Sequence, residues 1–493
     1  FGSSKFLAQG QQIFPAFARA RARLALQAMI GSLRRQLHPR LTRHVSQVLA
    51  EPMAWNQPPT MITTLPNGLR VATKECFSEA PTLGVYIDAG VRSETAETAG
   101  ASHLIEALAL TGTAKRPKDA LESEVESMGA ILNMSAGREY SSYSLSLMGS
   151  DMKQGVDILS DLVTDVPVGN LAKEKESILR GLEEMDQPTR SVIDDRLHLT
   201  AFRDCSLGYS TIGPYEGIDS LTSDSLASYV GTNYTADKMV LVAAGPTPHE
   251  EVVSLAAASM GSIPTGVPSP SAEKPYFCGA ELIYRNDEMG PLAYISVGYE
   301  SVPHKSPDAV AFMIMKEVIG TYKKNEGLVP GKISGNRVHN AVANKMDVGC
   351  AEEFEAFNYS YKDTGMFGFY AVCDEVAVEH CVGELMFGVN VLAFSITDEE
   401  VERAKRALKI SLFGGSGSTA ATCADVGKQV LAYGREVPAA EMMMRIEAID
   451  AEEIKRVAWE YLQDAEVAVT ALGPLHGMPH YMVLRNQSRM HRY

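Results

Sequence analysis

No uninterrupted apolar run in the 493 residues approaches the ~18–20 needed to cross a bilayer, so attachment to a membrane would have to come through partners. Cysteine is scarce and scattered. The seven residues Cys76, Cys205, Cys278, Cys350, Cys373, Cys381 and Cys423 form no C-x-x-C pair, which argues for reduced thiols over a disulfide frame or a cysteine zinc site. Acidic side chains are missing from positions 1–50, which hold eight Lys or Arg. The overall charge of −16 therefore conceals a body of 37 basic and 61 acidic groups, a balance of −24. Such a body repels phosphate and makes nucleic acid a poor partner.

What is present fits a globular chain long enough for two or more domains, each with its own core. Within the basic arm, Ala16 to Leu37 interleaves arginines with Leu, Met and Ile. Arginine-rich, acid-poor and amphipathic is the composition of a mitochondrial targeting segment; a basic arm docked on an acidic partner is the alternative. The chemistry is concentrated in GASHLIEALALTG, Gly100 to Gly112. On a helix, His103, Glu106 and Ala107 share one face, being i, i+3 and i+4. Inverzincin metallopeptidases use that geometry, H-x-x-E-H, to supply two zinc-binding histidines and a glutamate that activates water. Here the second histidine is Ala107, and a methyl group ligates nothing. An isolated H-x-x-E is common by chance, so the surrounding text has to decide.

From Met61 the pattern alternates strands and helices. Asn67-Gly68 is a turn before the run Leu69 to Thr73, and Leu83 to Ala89 alternates as a strand with one face buried. A helix from Lys118 to Met128 opens after Pro117 and closes at Gly129. Strands follow at Ile131 to Met134 and Tyr143 to Met148, with helices near Met152 to Val163, Leu171 to Met185 and Val192 to Phe202. Met239 to Ala244 reads as a strand and Glu250 to Met260 as a helix. The expected division is a basic arm 1–53, a first domain 54–263, a Pro-rich linker 264–278 and a second domain 279–493. Leu282 to Arg285, Leu292 to Tyr299 and the helix Pro307 to Ile319 repeat the opening strand–strand–helix unit. Aligning Gly320 with Gly112 sets Ala311, Ile314 and Met315 opposite His103, Glu106 and Ala107, so the second half carries no zinc motif.

The stretches NGLRVATKE, TLGVYIDAGVRSE, the motif helix, TGTAKRPKDALESEVESMGAILN and KEKESILR occur in the kind and order of the pitrilysin-type family. That family includes mitochondrial processing peptidase subunits and the core proteins of ubiquinol–cytochrome c reductase (complex III). The resemblance runs from about Thr60 to the C-terminus. EVESMGAILN, MVLVAAG, YGREVP and GPLHGMPHYMVLR make it closest to the beta-subunit and core-protein-1 branch. It implies an α+β fold of two similar halves, each a mainly antiparallel sheet packed with helices.

In active members a glutamate directly after a segment like KERDVILR is the third zinc ligand; here KEKESILR is followed by Gly181. A residue count from Ala107 would select Glu183, but that residue lies about 200° around the helix from Gly181. Glu184 returns to the right side one turn along and is the one substitute. With ligand positions lost at Ala107 and Gly181, His103 is left as a vestigial ligand, and Glu106 and Glu174 (at the family's supporting glutamate) as vestigial or structural. Two glycine-rich stretches, Gly327 to Ser334 and Gly414 to Thr419, read as flexible loops, since neither has the spacing of a phosphate loop. The resemblance thus implies a non-catalytic core subunit of complex III on the matrix side of the mitochondrial inner membrane, paired with a second core protein and touching other complex III subunits. No zinc or other cofactor is expected in this chain; haem and the iron–sulfur cluster would reside in partners. The alternatives are a beta-type processing peptidase and an inactive regulatory half of a soluble heterodimeric peptidase.

Overall fold

The computed structural model describes residues 58–113, 115–165, 170–184, 190–266, 274–324, 335–346, 349–414 and 417–489. The basic arm, residues 267–273 of the Pro-rich linker and the whole glycine-rich stretch Gly327 to Ser334 lie outside these residues. Two six-stranded sheets organise the rest. The first holds β1 (Met61–Thr64), β2 (Arg70–Lys74), β3 (Thr82–Ile87), β4 (Ile131–Ala136), β5 (Ser141–Ser146) and β6 (Met239–Ala244), in the order β1-β2-β6-β3-β5-β4. The second holds β7 (Glu281–Arg285), β8 (Leu292–Ser301), β9 (Thr321–Lys323), β10 (Glu353–Ser360), β11 (Gly365–Asp374) and β12 (Val467–Gly473), ordered β7-β12-β8-β11-β10-β9. Each sheet has one parallel pair, β2 with β6 and β7 with β12, and is otherwise antiparallel. The repeat read from sequence is therefore a repeat of topology, with β2-β6-β3-β5-β4 matched by β7-β12-β8-β11-β10.

The reading of β3 needs correction. All six residues Thr82–Ile87 are buried, where alternation implied one wet face. The cover is the helix Thr419–Tyr433, which comes from the second half. Its Cys423, Val426 and Val430 pack on Ala72, Tyr86, Val240 and Val242. The exchange is reciprocal. The helix Arg190–Ala201, from the first half, lies on the second sheet, with Ile193 against Tyr370, Val372 and Leu472 and with Leu197 and Ala201 against Met366 and Ala468. Glycine permits the close approach in both places. A Cβ on Gly427 would stand 2.3 Å from the Tyr86 ring, and one on Gly298 would meet Met366 at 2.9 Å and Leu197 at 3.5 Å.

One helical segment, Glu375–Phe394, is long and apolar enough to cross a membrane by length and composition, although Glu379, His380 and Glu384 interrupt it. Its Val378, Cys381, Val382, Leu385, Met386, Val389 and Leu392 are buried in the second core, where the helix Val378–Phe394 packs against β11 and the helix Ala451–Tyr461. This is the pattern of a core helix.

Polar contacts also cross between the halves. His198 is enclosed, its Nδ1 2.6 Å from the Asp194 carbonyl and its Nε2 2.6 Å from the Tyr361 hydroxyl. A carbonyl only accepts, so Nδ1 carries the proton and Nε2 accepts from Tyr361. Burial, reinforced by the Arg138 charge, holds the imidazole well below its ordinary pKa.

Two stability predictions follow from this packing. Gly427→Ala should cost about 1–3 kcal/mol through overpacking against Tyr86. Gly231→Ala, on an open helical surface with nothing within 4 Å, should be neutral or stabilising by up to ~1 kcal/mol; denaturant midpoints compare the two. For His198 the folded pKa lies below the unfolded value of 6.5. The unfolded chain then binds more protons, and stability is lost as pH falls through about 6.5, at a limiting slope near 1.4 kcal/mol per pH unit for this one group. Asp194 and Glu139, whose pKa values burial raises, act with the opposite sign, so the readout is the difference between parent and His198→Gln. The variant should show the flatter acid limb.

Candidate functional site

The segment Gly100 to Gly112 forms a helix over Ala101–Ala109. Gly100, at φ +88°, turns the chain into it, a conformation that glycine adopts without strain. Gly100 has no side chain to cap the helix, and Glu94 does so from the preceding loop. Its Oε2 accepts from the Gly100 N–H at 2.8 Å and its Oε1 from the Ser102 N–H at 2.8 Å. The carboxyl is only 5% exposed; burial raises its pKa, against the pull of these two N–H groups and of His103. Tyr229 donates to the Gly90 carbonyl at 3.0 Å, so Ser102 Oγ donates to the Tyr229 oxygen at 2.9 Å.

Leu104, Ile105 and Leu108 anchor the helix in the first core. His103, Glu106 and Ala107 occupy the partly exposed face, as the spacing predicts. The helix packs beside β4 and the helix Leu171–Glu184. Glu106 Oε2 accepts the Ala136 N–H at 3.0 Å, at the end of β4. His103 Nδ1 lies 3.6 Å from the same oxygen, too far for a good hydrogen bond. On the neighbouring helix, Glu174 and Gly181 are seven residues apart and so share a face, with Ile178 between them packed on the first core. Gly181 is exposed, and a Cβ there would meet nothing within 4 Å. The helix backbone continues through Glu183 and Glu184, whose side chains lie outside the described residues.

A catalytic zinc needs about three protein ligands and an open position for water. Among the described residues no group of three His, Cys, Asp or Glu side chains is placed to hold a metal. At the motif the donors are one imidazole and one carboxylate already bonded to a backbone N–H, beside a methyl. This set does not fit zinc.

In the second half, Ala311, Ile314 and Met315 are fully buried on the helix Ala309–Ile319 and serve its core. The end of Gly414 to Thr419 is not a free loop. Thr419 Oγ1 donates to the Ala80 carbonyl at 3.0 Å and lies 3.0 Å from Thr82 Oγ1, tying it to the first half. Sequence reasoning missed Glu94 altogether. Its one signal was an acidic residue shortly before a helix that opens on glycine.

The two-sheet fold with this motif helix on the first sheet defines a peptidase-like scaffold. Residues 70–215 match the family model described as insulinase (peptidase family M16), and residues 220–408 match the model of the peptidase M16 inactive domain. The chain belongs to peptidase family M16. It is 38% identical over 464 residues to the probable mitochondrial-processing peptidase subunit beta of Arabidopsis thaliana, covering 92% of this chain and 85% of that protein. It is 35% identical over 434 residues to human cytochrome b-c1 complex subunit 1, covering 87% of this chain and 89% of that one. A chain from the solved structure of Complex III2 from Candida albicans with Inz-5 bound shares the fold, with a TM-score of 0.77 at 22% identity over 87% of this chain and 100% of that chain.

The geometry predicts what adding two donors would do. Ala107→His with Gly181→Glu should tighten zinc binding by more than the ~10–100-fold that a mere supporting partner is worth, as measured by competition with a chromogenic chelator. An affinity no different from the parent's would show that these positions do not converge.

Proposed function

We propose that this chain is a non-catalytic core subunit of mitochondrial ubiquinol–cytochrome c reductase (complex III), a scaffold on the matrix side of the inner membrane. The observation that carries the reading is Ala107. It sits on the same partly exposed face as His103 and Glu106, where the second imidazole of a zinc site belongs. Gly181 leaves the third position without a donor. Without a metal, a water near Glu106 keeps its ordinary high pKa, and the carboxylate has no reason to act as a base. Cytochrome b-c1 complex subunit 1 of human, rat and mouse, each 35% identical, supports this assignment. Pairing with a second core protein of similar fold goes with it, as does membrane attachment through partners.

A second reading draws on relatives of similar identity named as beta subunits of mitochondrial-processing peptidase. In it the chain cleaves presequences, with zinc at His103 rescued by Glu184 or by a partner chain. The two readings differ in metal and in company. On the core-subunit reading, mild detergent releases the chain from mitochondrial inner membranes in a particle with b- and c-type haem and without stoichiometric zinc in this subunit. An obligate interface of more than about 2,000 Å² would resist high salt, whereas a peripheral ionic contact is screened away. Recovery of the chain as a haem-free soluble heterodimer holding one tight zinc would overturn the core-subunit reading in favour of the peptidase.

A further inference from the structure

The contacts between the halves converge on one short turn. Between β10 and β11, Tyr361 to Thr364 projects from the second sheet into the first half. Lys362 Nζ pairs with Asp88, just past the end of β3, and the Lys362 backbone N–H donates to Glu139 Oε1 at 3.2 Å. Asp363 pairs with Arg92, whose Nη1 also donates to Glu139 Oε1 at 2.6 Å. Tyr361 donates to His198. The Arg92 and Glu139 side chains are each 10% exposed, so water screens that pair weakly, while Asp363 is half-buried and Lys362 reaches in from the surface.

From the cluster two short connections lead to the motif helix. The first runs along the chain. Arg92 sits in the one-turn segment Val91–Ser93, and the next residue, Glu94, holds the Gly100 and Ser102 N–H groups. The second runs through the β4–β5 turn. Glu139 lies in that turn, three residues beyond Ala136, whose N–H is held by Glu106. The two connections are locked together, because Val91 N–H donates to the Gly137 carbonyl at 3.1 Å and Arg92 N–H to the Arg138 carbonyl at 2.8 Å. There is no slack between them. A Cβ on Gly90 would stand 2.4 Å from the Gly137 oxygen.

We infer that the second half positions the first half's motif helix through this turn. Lys362 and Asp363 fix the loop 88–94 and the β4–β5 turn, and these two set the helix at its N-terminus and at Glu106. They are positioning residues, acting through Arg92, Glu139 and Glu94. The buried Arg92–Glu139 pair, to which Asp363 is joined, suits such a role, since a buried ion pair adds little net stability but penalises any geometry that leaves a charge unpaired. The inference is independent of whether the chain is a scaffold or a peptidase.

Hydrogen exchange on the full chain, read by mass spectrometry, tests it without an activity assay. In Asp363→Asn, exchange at the Gly100, Ser102 and Ala136 amides should quicken by at least about tenfold. The helix Met152–Thr164, on the same core but with no bond to the turn, should exchange as in the parent. Asp363→Glu should restore the slow rates, and Arg92→Leu combined with Asp363→Leu should fall short of the sum of the single effects. Faster exchange confined to the turn and to residues 88–93 would overturn the inference. An equal rise in Met152–Thr164 would overturn it too, by showing general loosening. Should Asp363→Asn fail to fold, Lys362→Met read at the same amides decides by the same criteria.

Discussion

Two sheets that are apolar on both faces cannot exist alone in water, and this constraint shapes the whole molecule. An antiparallel sheet usually leaves one face wet. Here β3 and β6 are buried throughout, and so is β12. Each sheet's own helices cover one face, and the cover for the other arrives from the opposite half: Thr419–Tyr433 on the first sheet and Arg190–Ala201 on the second. Burial is worth roughly 25 cal/mol per Å² of apolar surface, so withdrawing either helix would expose a stripe of Val, Tyr and Leu with nothing to replace it. The halves have separate sheets but shared cores. The boundary between the two matched family models, at residues 215–220, falls well before β6, which still belongs to the first sheet.

Helix exchange fixes which faces meet, and the polar seam then fixes how they are oriented. Asp194, 3.0 Å from Arg190 on the exchanged helix, accepts across the seam from Tyr359 at 2.9 Å, while Arg138 ties that helix back to its own half by pairing with Asp195 and donating to the Tyr209 carbonyl at 2.7 Å. Apolar contact tolerates sliding, whereas a buried guanidinium with a bonded carboxylate does not. The same cluster encloses a neutral His198. An imidazolium there would face Arg138, so the seam favours the uncharged form that Tyr361 needs as an acceptor.

Several elements with a local determinant were legible in the sequence. Met239–Ala244 is a strand with the limits its apolar run implies, and the helix after Pro117 ends before Gly129, at φ +62°, as glycine at a C-terminus predicts. His103, Glu106 and Ala107 share a face because three and four residues on a helix must. The wet face assigned to β3 failed for a remote reason. Gly84 and Tyr86 look like solvent-side positions, yet they form the surface on which Cys423 and Gly427 pack, from more than three hundred residues along the chain. No periodicity within β3 contains that information. The helix Ser223–Asn233 went unread because its capping box uses Thr222 and Ser225 in place of a glutamate. Glu94 was missed because a cap supplied from a loop depends on how the loop folds.

The arrangement also explains how a peptidase motif can lose a ligand without loss of fold. In small metal-dependent domains the ion holds the chain together, and deleting a ligand unfolds it. Here the motif helix is secured independently on three sides. Leu104, Ile105 and Leu108 face the core, Glu94 caps the N-terminus, and Ala136 holds Glu106. None of these contacts involves position 107 or position 181. Alanine at 107 is if anything a better helix former than histidine, and Gly181 sits in open space on an exposed face. Stability therefore exerts no pressure to keep a histidine or glutamate at either place; only catalysis would. The fold can therefore keep its scaffold, cap and seam whatever stands at positions 107 and 181, which here carry a methyl group and a hydrogen.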